Sequence, residues 1–150
     1  MSQIILLDST PLGLISNPRS SPENDACNQW LQGQLQAGVL VAISEIADYE
    51  VRRELLRAGK RHGIAKLDGL KNALDYLPLT TATMLQAAEF WAQARQTGRP
   101  TAHDHKLDAD CIIAAQAALL IADNHSVIVA TSNVAHLAVF VPAARWRDIP

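Results

Sequence analysis

The chain has 150 residues, of which 49% are apolar and 19% are charged. These proportions exclude a disordered chain and suit one folded domain whose core needs no disulfide staples. A formal net charge of −2 excludes nucleic-acid binding through overall basic character, so any such binding must use local patches.

The first residues and the cysteines indicate the compartment. Residues 1–3 lack the basic start of a signal peptide, and no apolar run approaches the roughly 18 residues of a membrane span. Cys27 and Cys111 lie in apolar helical patterns, which favours reduced core cysteines over a disulfide or a metal site. We therefore expect a soluble cytoplasmic protein that does not contact a membrane.

Short apolar runs between helical patterns predict the fold class. Buried parallel strands are predicted at residues 3–7, 39–43 and 127–130, with weaker candidates at 76–79 and 139–141. Helices are predicted from a Thr10 cap, over 24–36, from a Ser44 cap to about residue 58, and over 62–75, 81–97 and 109–122. This alternation predicts a three-layer α/β/α sandwich with a mostly parallel sheet, formed by a single domain over residues 1–150.

Asp8 follows the first predicted strand, where open α/β sheets place their active-site crevices. An isolated aspartate at this position is more often a turn or capping residue. Because Ser9 and Thr10 are available to cap the next helix, we expect the Asp8 side chain to face the crevice.

Glu50 lies in the second turn of the helix that follows the second strand, beside an apolar stripe. A carboxylate there needs a partner. Either it joins a surface ion-pair ladder with Arg53, or it faces the same crevice as Asp8. Asp48 points to another face, and we expect it to be solvated.

Two acids, Asp108 and Asp110, come directly before an almost purely apolar segment at residues 111–117, which belongs to the helix predicted over 109–122. Because residues two positions apart diverge by about 200° on a helix, Asp108 and Asp110 cannot share a role. We assign Asp110 to a metal site and Asp108 to helix capping or to an auxiliary position behind the metal ligands. Asp104 is a weaker candidate.

Thr131, Ser132 and Asn133 follow the last strong strand. Asn133 is typical of a turn, but its amide oxygen can also bind a hard cation. Carboxylates meeting in one crevice would repel each other unless a divalent cation lay among them. The histidines are scattered and do not indicate zinc, and a phospho-receiver domain would require a late-strand lysine that is missing here.

The order of these motifs resembles the PIN-domain family, and within it the VapC-like toxin ribonucleases. The relevant segments are Leu6-Leu7-Asp8-Ser9, Tyr49-Glu50-Val51-Arg52-Arg53, Asp110-Cys111-Ile112-Ile113-Ala114-Ala115, and the Thr-containing segment after the late strand. The resemblance implies a Mg²⁺- or Mn²⁺-dependent endoribonuclease that forms a homodimer and is inhibited by a small antitoxin protein. It also implies that Asp8, Glu50 and Asp110 are catalytic, metal-binding acids.

Asn133 departs from the family pattern, because many members have aspartate there. The substitution removes one negative charge and should weaken a second metal site. Thr131 and Ser132 are expected to donate hydrogen bonds to a ligating carboxylate or to a phosphate.

The densest basic patch begins at Arg52, Arg53 and Arg57 and is the candidate RNA-binding surface, although such patches are more often solvated. The alternative function is a catalytically weak or inactive PIN-like domain that binds RNA or protein.

Overall fold

The computed structural model of the protein describes residues 3–97 and 104–150. The strands are β1 Gln3–Leu7, β2 Leu40–Ser44, β3 Asp75–Leu77, β4 Ser126–Ala130 and β5 Ala143–Ala144. The helices are α1 Ser9–Ser16, α2 Pro22–Gln36, α3 Glu45–Arg57, α4 Arg61–Ala73, α5 Thr81–Gln96, α6 Asp104–Ala122 and α7 Val134–Leu137, followed by a 3₁₀ turn at Trp146–Asp148.

The five strands form one sheet in the order β3-β2-β1-β4-β5, and every neighbouring pair is parallel. Helices cover both faces, which confirms the predicted α/β sandwich. The chain leaves β1 toward β2 on one side, while β4 pairs with β1 on the other. This change of direction at the carboxyl end of β1 is where such sheets bind ligands.

The central strand β1 is apolar on both sides because both of its faces are covered. Ile5 and Leu7 pack into one core, where α1, α2 and α4 meet the sheet. Ile4 and Leu6 pack into a second core formed with α6 and β4. This explains why the strand has a continuous apolar run instead of an alternating pattern.

Helix ends follow local sequence signals closely. Ser21 caps α2 by accepting a 3.1 Å hydrogen bond from the amide of Asn24, and Thr80 caps α5 in the same way through Thr83. Gly38 and Gly59, which follow α2 and α3, adopt φ angles of 81° and 66°. These left-handed conformations favour glycine, so both predicted helix ends are confirmed.

The strand predicted at 139–141 is wrong. The amides of Phe140 and Val141 bond to the Leu137 carbonyl, which ends α7 in a turn. Phe140 stacks on Phe90 at a 4.6 Å centroid distance, so its apolar character serves packing between helices and not strand pairing. The chain joins the sheet only afterwards, as β5.

Two predicted helix starts also differ from the structure. Asp8, and not Thr10, is the N-cap of α1, and its carboxylate accepts from the Ser9 amide. Helix α6 already begins at Asp104, so Asp108 lies inside the helix and cannot cap it.

Cys27 and Cys111 are buried and form no disulfide, as predicted. Burial raises the pKa of the Cys27 thiol to about 12 and that of Cys111 to about 11. Within residues 3–97 and 104–150, no helix combines the length and apolar character needed to cross a bilayer.

Candidate active site

A polar cavity of about 220 Å³ lies beyond the carboxyl ends of β1 and β4. We call it the acid cavity. Its walls are formed by Asp8, Ser9, Glu50, Arg53, Ala109, Asp110 and Asn133. The four residues that the sequence predicts as metal ligands, which are distant along the chain, therefore line the same cavity.

Asp8 is held in place from two directions. Its backbone amide bonds to the Ala130 carbonyl at 3.0 Å, which ties the end of β1 to the end of β4. One carboxylate oxygen accepts from the Ser9 amide at 2.8 Å, and the other accepts from the Thr131 hydroxyl at 2.7 Å. Asp8 is only 6% exposed, so these hydrogen bonds stabilise a charge that water barely reaches. The Asp8 side chain therefore both caps α1 and lines the acid cavity.

Thr131 links the two strand ends. Its hydroxyl oxygen accepts a hydrogen bond from the backbone amide of Asn133 at 2.9 Å, and its hydroxyl proton is donated to Asp8. The auxiliary role predicted for Thr131 fits this position. Ser132 differs, because its hydroxyl pairs with that of Thr10 at 2.8 Å and the residue does not line the acid cavity.

Glu50 and Arg53 enter the acid cavity from α3, one helical turn apart. The half-buried Glu50 and the exposed Arg53 also line a neighbouring groove between α1 and α3. The Arg53 guanidinium lies 5.1 Å from the centre of the Tyr49 ring. A cationic side chain thus shares the cavity with the carboxylates and reduces their mutual repulsion.

Asp110 is 3% exposed and enters the cavity from α6. Its Oδ2 atom lies 3.6 Å from Nδ1 of His136, a residue of α7. Asp108 is exposed and lines a different, largely apolar cavity between α5 and α6, beside Met84 and Trp91. It therefore does not take the auxiliary position behind the metal ligands that we predicted. Asp104 is the first residue of α6, and the structure does not describe its side chain.

Asp48 contradicts the expectation that it is solvated. It is 5% exposed, accepts from the Tyr76 hydroxyl at 3.0 Å and pairs with Arg52 at 3.1 Å. Lys71 lies 3.9 Å away. Burial and the hydrogen bond to Asp48 raise the pKa of the Tyr76 hydroxyl. We name Asp48, Arg52, Lys71 and Tyr76 the α3 ion network.

The three arginines predicted to bind RNA have different surroundings. Arg52 is held between Asp48 and Asp68, the latter at 2.8 Å. Arg57 pairs at 2.8 Å with Glu54 on the exposed surface. Only Arg53 lines the acid cavity.

Sequence reasoning missed two cationic or imidazole side chains near the cavity. The scattered histidines gave no reason to place His136 at a site, and Arg145 belongs to no sequence motif. Both line a cavity that shares Asn133 with the acid cavity. The only available signal for His136 was its spacing of three residues from Asn133, which places the two within one helical turn.

The donor set of the acid cavity suits a hard divalent cation such as Mg²⁺ or Mn²⁺, because it consists of three carboxylates and one amide. In the described ranges, however, no three Asp, Glu, His or Cys side chains are arranged to contact one ion together. Ligand type and position therefore fit a metal. Binding would require the side chains to move within the cavity.

Comparisons with known proteins identify the family and the fold. The family model described as PIN domain matches residues 5–134. Among solved structures, VapBC2 from Rickettsia felis bound to a DNA fragment from its promoter has a TM-score of 0.73 and 19% identity, covering 95% of this chain and 98% of that chain. VapBC-1 from nontypeable Haemophilus influenzae has a TM-score of 0.68 and 16% identity, covering 97% and 99%.

A third similar structure is VapC20 from Mycobacterium tuberculosis, a toxin that cleaves the sarcin-ricin loop. Its TM-score is 0.62 at 16% identity, covering 94% of this chain and 98% of that chain. No curated protein sequence matches the chain. At these identities the structural likeness establishes the fold. Because the family model spans most of the sequence, the resemblance inferred from the motifs is confirmed, and the chain belongs to the PIN domain family.

Proposed function

We propose that this PIN domain is a divalent-metal-dependent endoribonuclease and the toxin of a toxin–antitoxin pair. The observation that carries the proposal is that Asp8, Glu50 and Asp110, from three distant segments, line one cavity at the switch point of the sheet. Carboxylates in such a place act on a substrate or hold a cation, because nothing in folding alone requires them to share a cavity.

Asp8, Glu50 and Asp110 are the residues that would hold Mg²⁺ or Mn²⁺, with Asn133 as a neutral fourth ligand. When bound, the cation supplies Lewis acidity to the scissile phosphate and to the attacking water. The hydrogen bonds from Ser9 and Thr131 hold the Asp8 carboxylate in a fixed direction.

In the proposed hydrolysis, the oxygen of water bonds to phosphorus while the bond to the 3′ oxygen breaks. The water proton passes to the solvent or to a cavity carboxylate, and the leaving 3′ oxygen takes up a proton. Glu50 is the candidate acceptor, because it is less buried than Asp8 and Asp110.

Arg53 is the best candidate for contacting the RNA phosphate next to the scissile bond. It is exposed and lines the acid cavity, whereas Arg52 is committed to two carboxylates. Arg145, also exposed, lines the neighbouring cavity that shares Asn133 and offers a second cation to an RNA strand that crosses the acid cavity.

The groove between α1 and α3 is the proposed antitoxin site. Its volume is about 480 Å³, and it shares Ser9, Glu50 and Arg53 with the acid cavity. Gly13, Val51 and Leu55 give it an apolar portion that a partner helix or tail can cover. An antitoxin bound there would block substrate access. The similar VapBC structures support an antitoxin as the kind of partner, and the lining of the groove is the reason for placing it there.

We further propose that the protein acts as a cytoplasmic homodimer. Helix α5 exposes Met84 by 47%, Leu85 by 66% and Trp91 by 39%, which gives a second copy an apolar face to cover. Light scattering of the purified protein, with Leu85→Glu as the variant expected to dissociate the dimer, tests this assignment.

Cleavage of single-stranded RNA tests the nuclease. The wild-type protein with Mg²⁺ or Mn²⁺ should cut the RNA, and Asp8→Asn should not, although asparagine still caps α1. Asp123→Asn, at an exposed residue after α6, is the matched control and should cut like the wild type. Equal cleavage by wild type and Asp8→Asn would contradict the proposed chemistry.

A toxin should also arrest growth when it is expressed, and the arrest should need Asp8. Relief by co-expression of a small neighbouring gene would identify the antitoxin. If the protein cleaves RNA in vitro but its expression does not affect growth, the nuclease proposal stands and the toxin role is contradicted.

The second candidate function is a PIN domain that binds RNA or protein without cleaving. Asn133 and the need for side-chain movement before one ion can be held both favour it. Calorimetric titration with Mn²⁺ separates the two functions. If the domain only binds RNA or protein, Asp110→Asn should not change Mn²⁺ uptake. If the domain is the proposed nuclease, Asp110→Asn should abolish Mn²⁺ uptake.

A further inference from the structure

His136 places a buried ring nitrogen next to Asp110, a residue that lines the acid cavity. Its Nδ1 atom is shielded from solvent and makes no hydrogen bond to any group that the structure describes. The nearest acidic atom is Oδ2 of Asp110, at 3.6 Å. His136 itself is held in α7, where its amide bonds to the Asn133 carbonyl at 3.1 Å.

A separation of 3.6 Å is too long for a hydrogen bond but needs only a small side-chain rotation to become one. A buried nitrogen left without a partner destabilises a fold, so a contact that satisfies it is favoured. A proton on Nδ1 would be attracted by the carboxylate oxygen, whereas a bare lone pair there would be repelled by it. The pair is therefore placed to form an N–H···O contact.

The same short segment already orients another acid of the cavity. Thr131 donates to Asp8 at 2.7 Å, and His136 follows five residues later. Asp8 and Asp110 would thus each be oriented by a donor from the chain that follows β4. Such donors fix the direction of a carboxylate that binds a metal.

We propose that His136 is a positioning residue for Asp110, donating from Nδ1 to Oδ2 when the cavity binds a divalent cation. The proposal rests on the metal site of the proposed function. It assigns a role to a residue outside the set of acids. It also gives the cavity a second oriented carboxylate, which partly offsets the missing charge at Asn133.

Two substitutions separate the donor from the bulk of the ring. In His136→Asn the side-chain amide nitrogen replaces Nδ1, whereas His136→Leu keeps volume and removes the donor. Mn²⁺ affinity, measured by calorimetry without RNA, should fall by about 10- to 100-fold in His136→Leu and be largely restored in His136→Asn. His62→Leu, at an exposed position of α4, is the matched control and should bind Mn²⁺ like the wild type.

Equal Mn²⁺ affinity in wild type and His136→Leu would overturn the proposal. Should His136→Leu fail to fold, nitrogen NMR of the wild-type ring decides instead. A proton on Nδ1 supports the role, and a ring protonated only on Nε2 contradicts it. Electron spin echo spectra of bound Mn²⁺ should lack nitrogen coupling, since such coupling would make His136 a direct ligand.

The outcomes also separate this inference from the proposed function. Absence of Mn²⁺ uptake by the wild type contradicts both. Uptake that depends on His136 without any RNA cleavage supports the positioning role and removes the nuclease. Uptake and cleavage that are independent of His136 remove only the positioning role.

Discussion

Asp48 and Glu50, two of the acids of helix α3, lie two residues apart and have opposite surroundings. Asp48 is 5% exposed and faces Arg52, Lys71 and Tyr76, all supplied by the protein itself. Glu50 is half-buried and faces the acid cavity with Asp8 and Asp110. The comparison shows that burial alone does not identify a functional acid. The acids to suspect are those that meet other acids around an open space.

The largest expected effect is at Asp110. Asp110→Asn should reduce RNA cleavage by about 100-fold or more, equivalent to about 2.7 kcal/mol in the activation barrier, because the proposed metal site would lose a charged ligand. The midpoint of thermal unfolding without metal should change little. If the rate of RNA cleavage by Asp110→Asn is within a few-fold of the wild-type rate, Asp110 serves stability, as Asp48 does, and not cleavage.

Asp48 should show the opposite behaviour. Asp48→Ala removes the carboxylate at the centre of the α3 ion network and should lower the free energy of unfolding by about 2 kcal/mol. Arg52 can still pair with Asp68, which limits the loss. Urea denaturation measures the change, with Asp123→Ala as the control. RNA cleavage per folded molecule should be unchanged, and a selective loss of cleavage would contradict the distinction between the two acids.

Thr131 offers a smaller and more specific test of the acid cavity. Thr131→Val keeps the shape of the side chain and removes the hydroxyl that donates to Asp8 at 2.7 Å. Mn²⁺ affinity should fall by about tenfold, and Thr131→Ser should restore most of it. If valine and serine weaken binding equally, the methyl packing and not the hydrogen bond is responsible.

Arg52 and Arg53 are sequence neighbours that divide between the two regions. In an Asp8→Asn background that cannot cut RNA, Arg53→Ala should lower the slope of log affinity against log salt by about 0.7, the value for one phosphate contact on a single strand. Arg52→Ala should leave that slope unchanged and mainly weaken the fold. Equal slopes for both variants would remove Arg53 from the RNA-binding surface.

Ionisation of the buried thiols should have the smallest effect on the free energy of unfolding, and it should have no effect near neutral pH. For Cys111, the folded pKa of about 11 lies above the ordinary value of 9.0, so the unfolded chain loses its proton first. The stability that Cys111 contributes is therefore complete below pH 9.0 and is lost as pH rises toward 11. Chemical denaturation from pH 7 to 10.5, comparing wild type with Cys111→Ala, should show a steeper decline in the wild type above pH 9. Parallel curves would contradict the assignment.

Much of the fold follows from local pattern. The apolar runs that became β1, β2 and β4 are continuous because those strands are covered on both faces, and Gly38 and Gly59 ended helices where left-handed backbone was needed. The run at 139–141 misled because a short apolar segment has the same pattern in a strand and in a turn packed against a helix. Side-chain stacking of Phe140 on Phe90, a contact between distant segments, decided it.

The candidate site was predictable in its acids but not in their partners. Asp8 and Asn133 follow strands, and Glu50 and Asp110 lie in the second turn of a helix. The position of such residues at one edge of the sheet follows from parallel topology. The roles given to Asp108 and Ser132 did not follow, because side-chain direction depends on where α6 begins and on the hydroxyl of Thr10. Asp48 was misjudged for the same reason, since Lys71 and Tyr76 lie more than twenty residues away in sequence.

The sequence by itself determined the α/β class, the family and the set of acids, because hydrophobic period and motif order are local properties of the chain. Only the tertiary structure decided that Asp8 both caps α1 and lines the acid cavity, that Arg53 and not Arg52 lines this cavity, and that His136 lies next to Asp110. The physical reason is that hydrogen bonds and ion pairs between distant segments depend on distances of a few ångströms. Those distances are set by how the helices pack on the sheet.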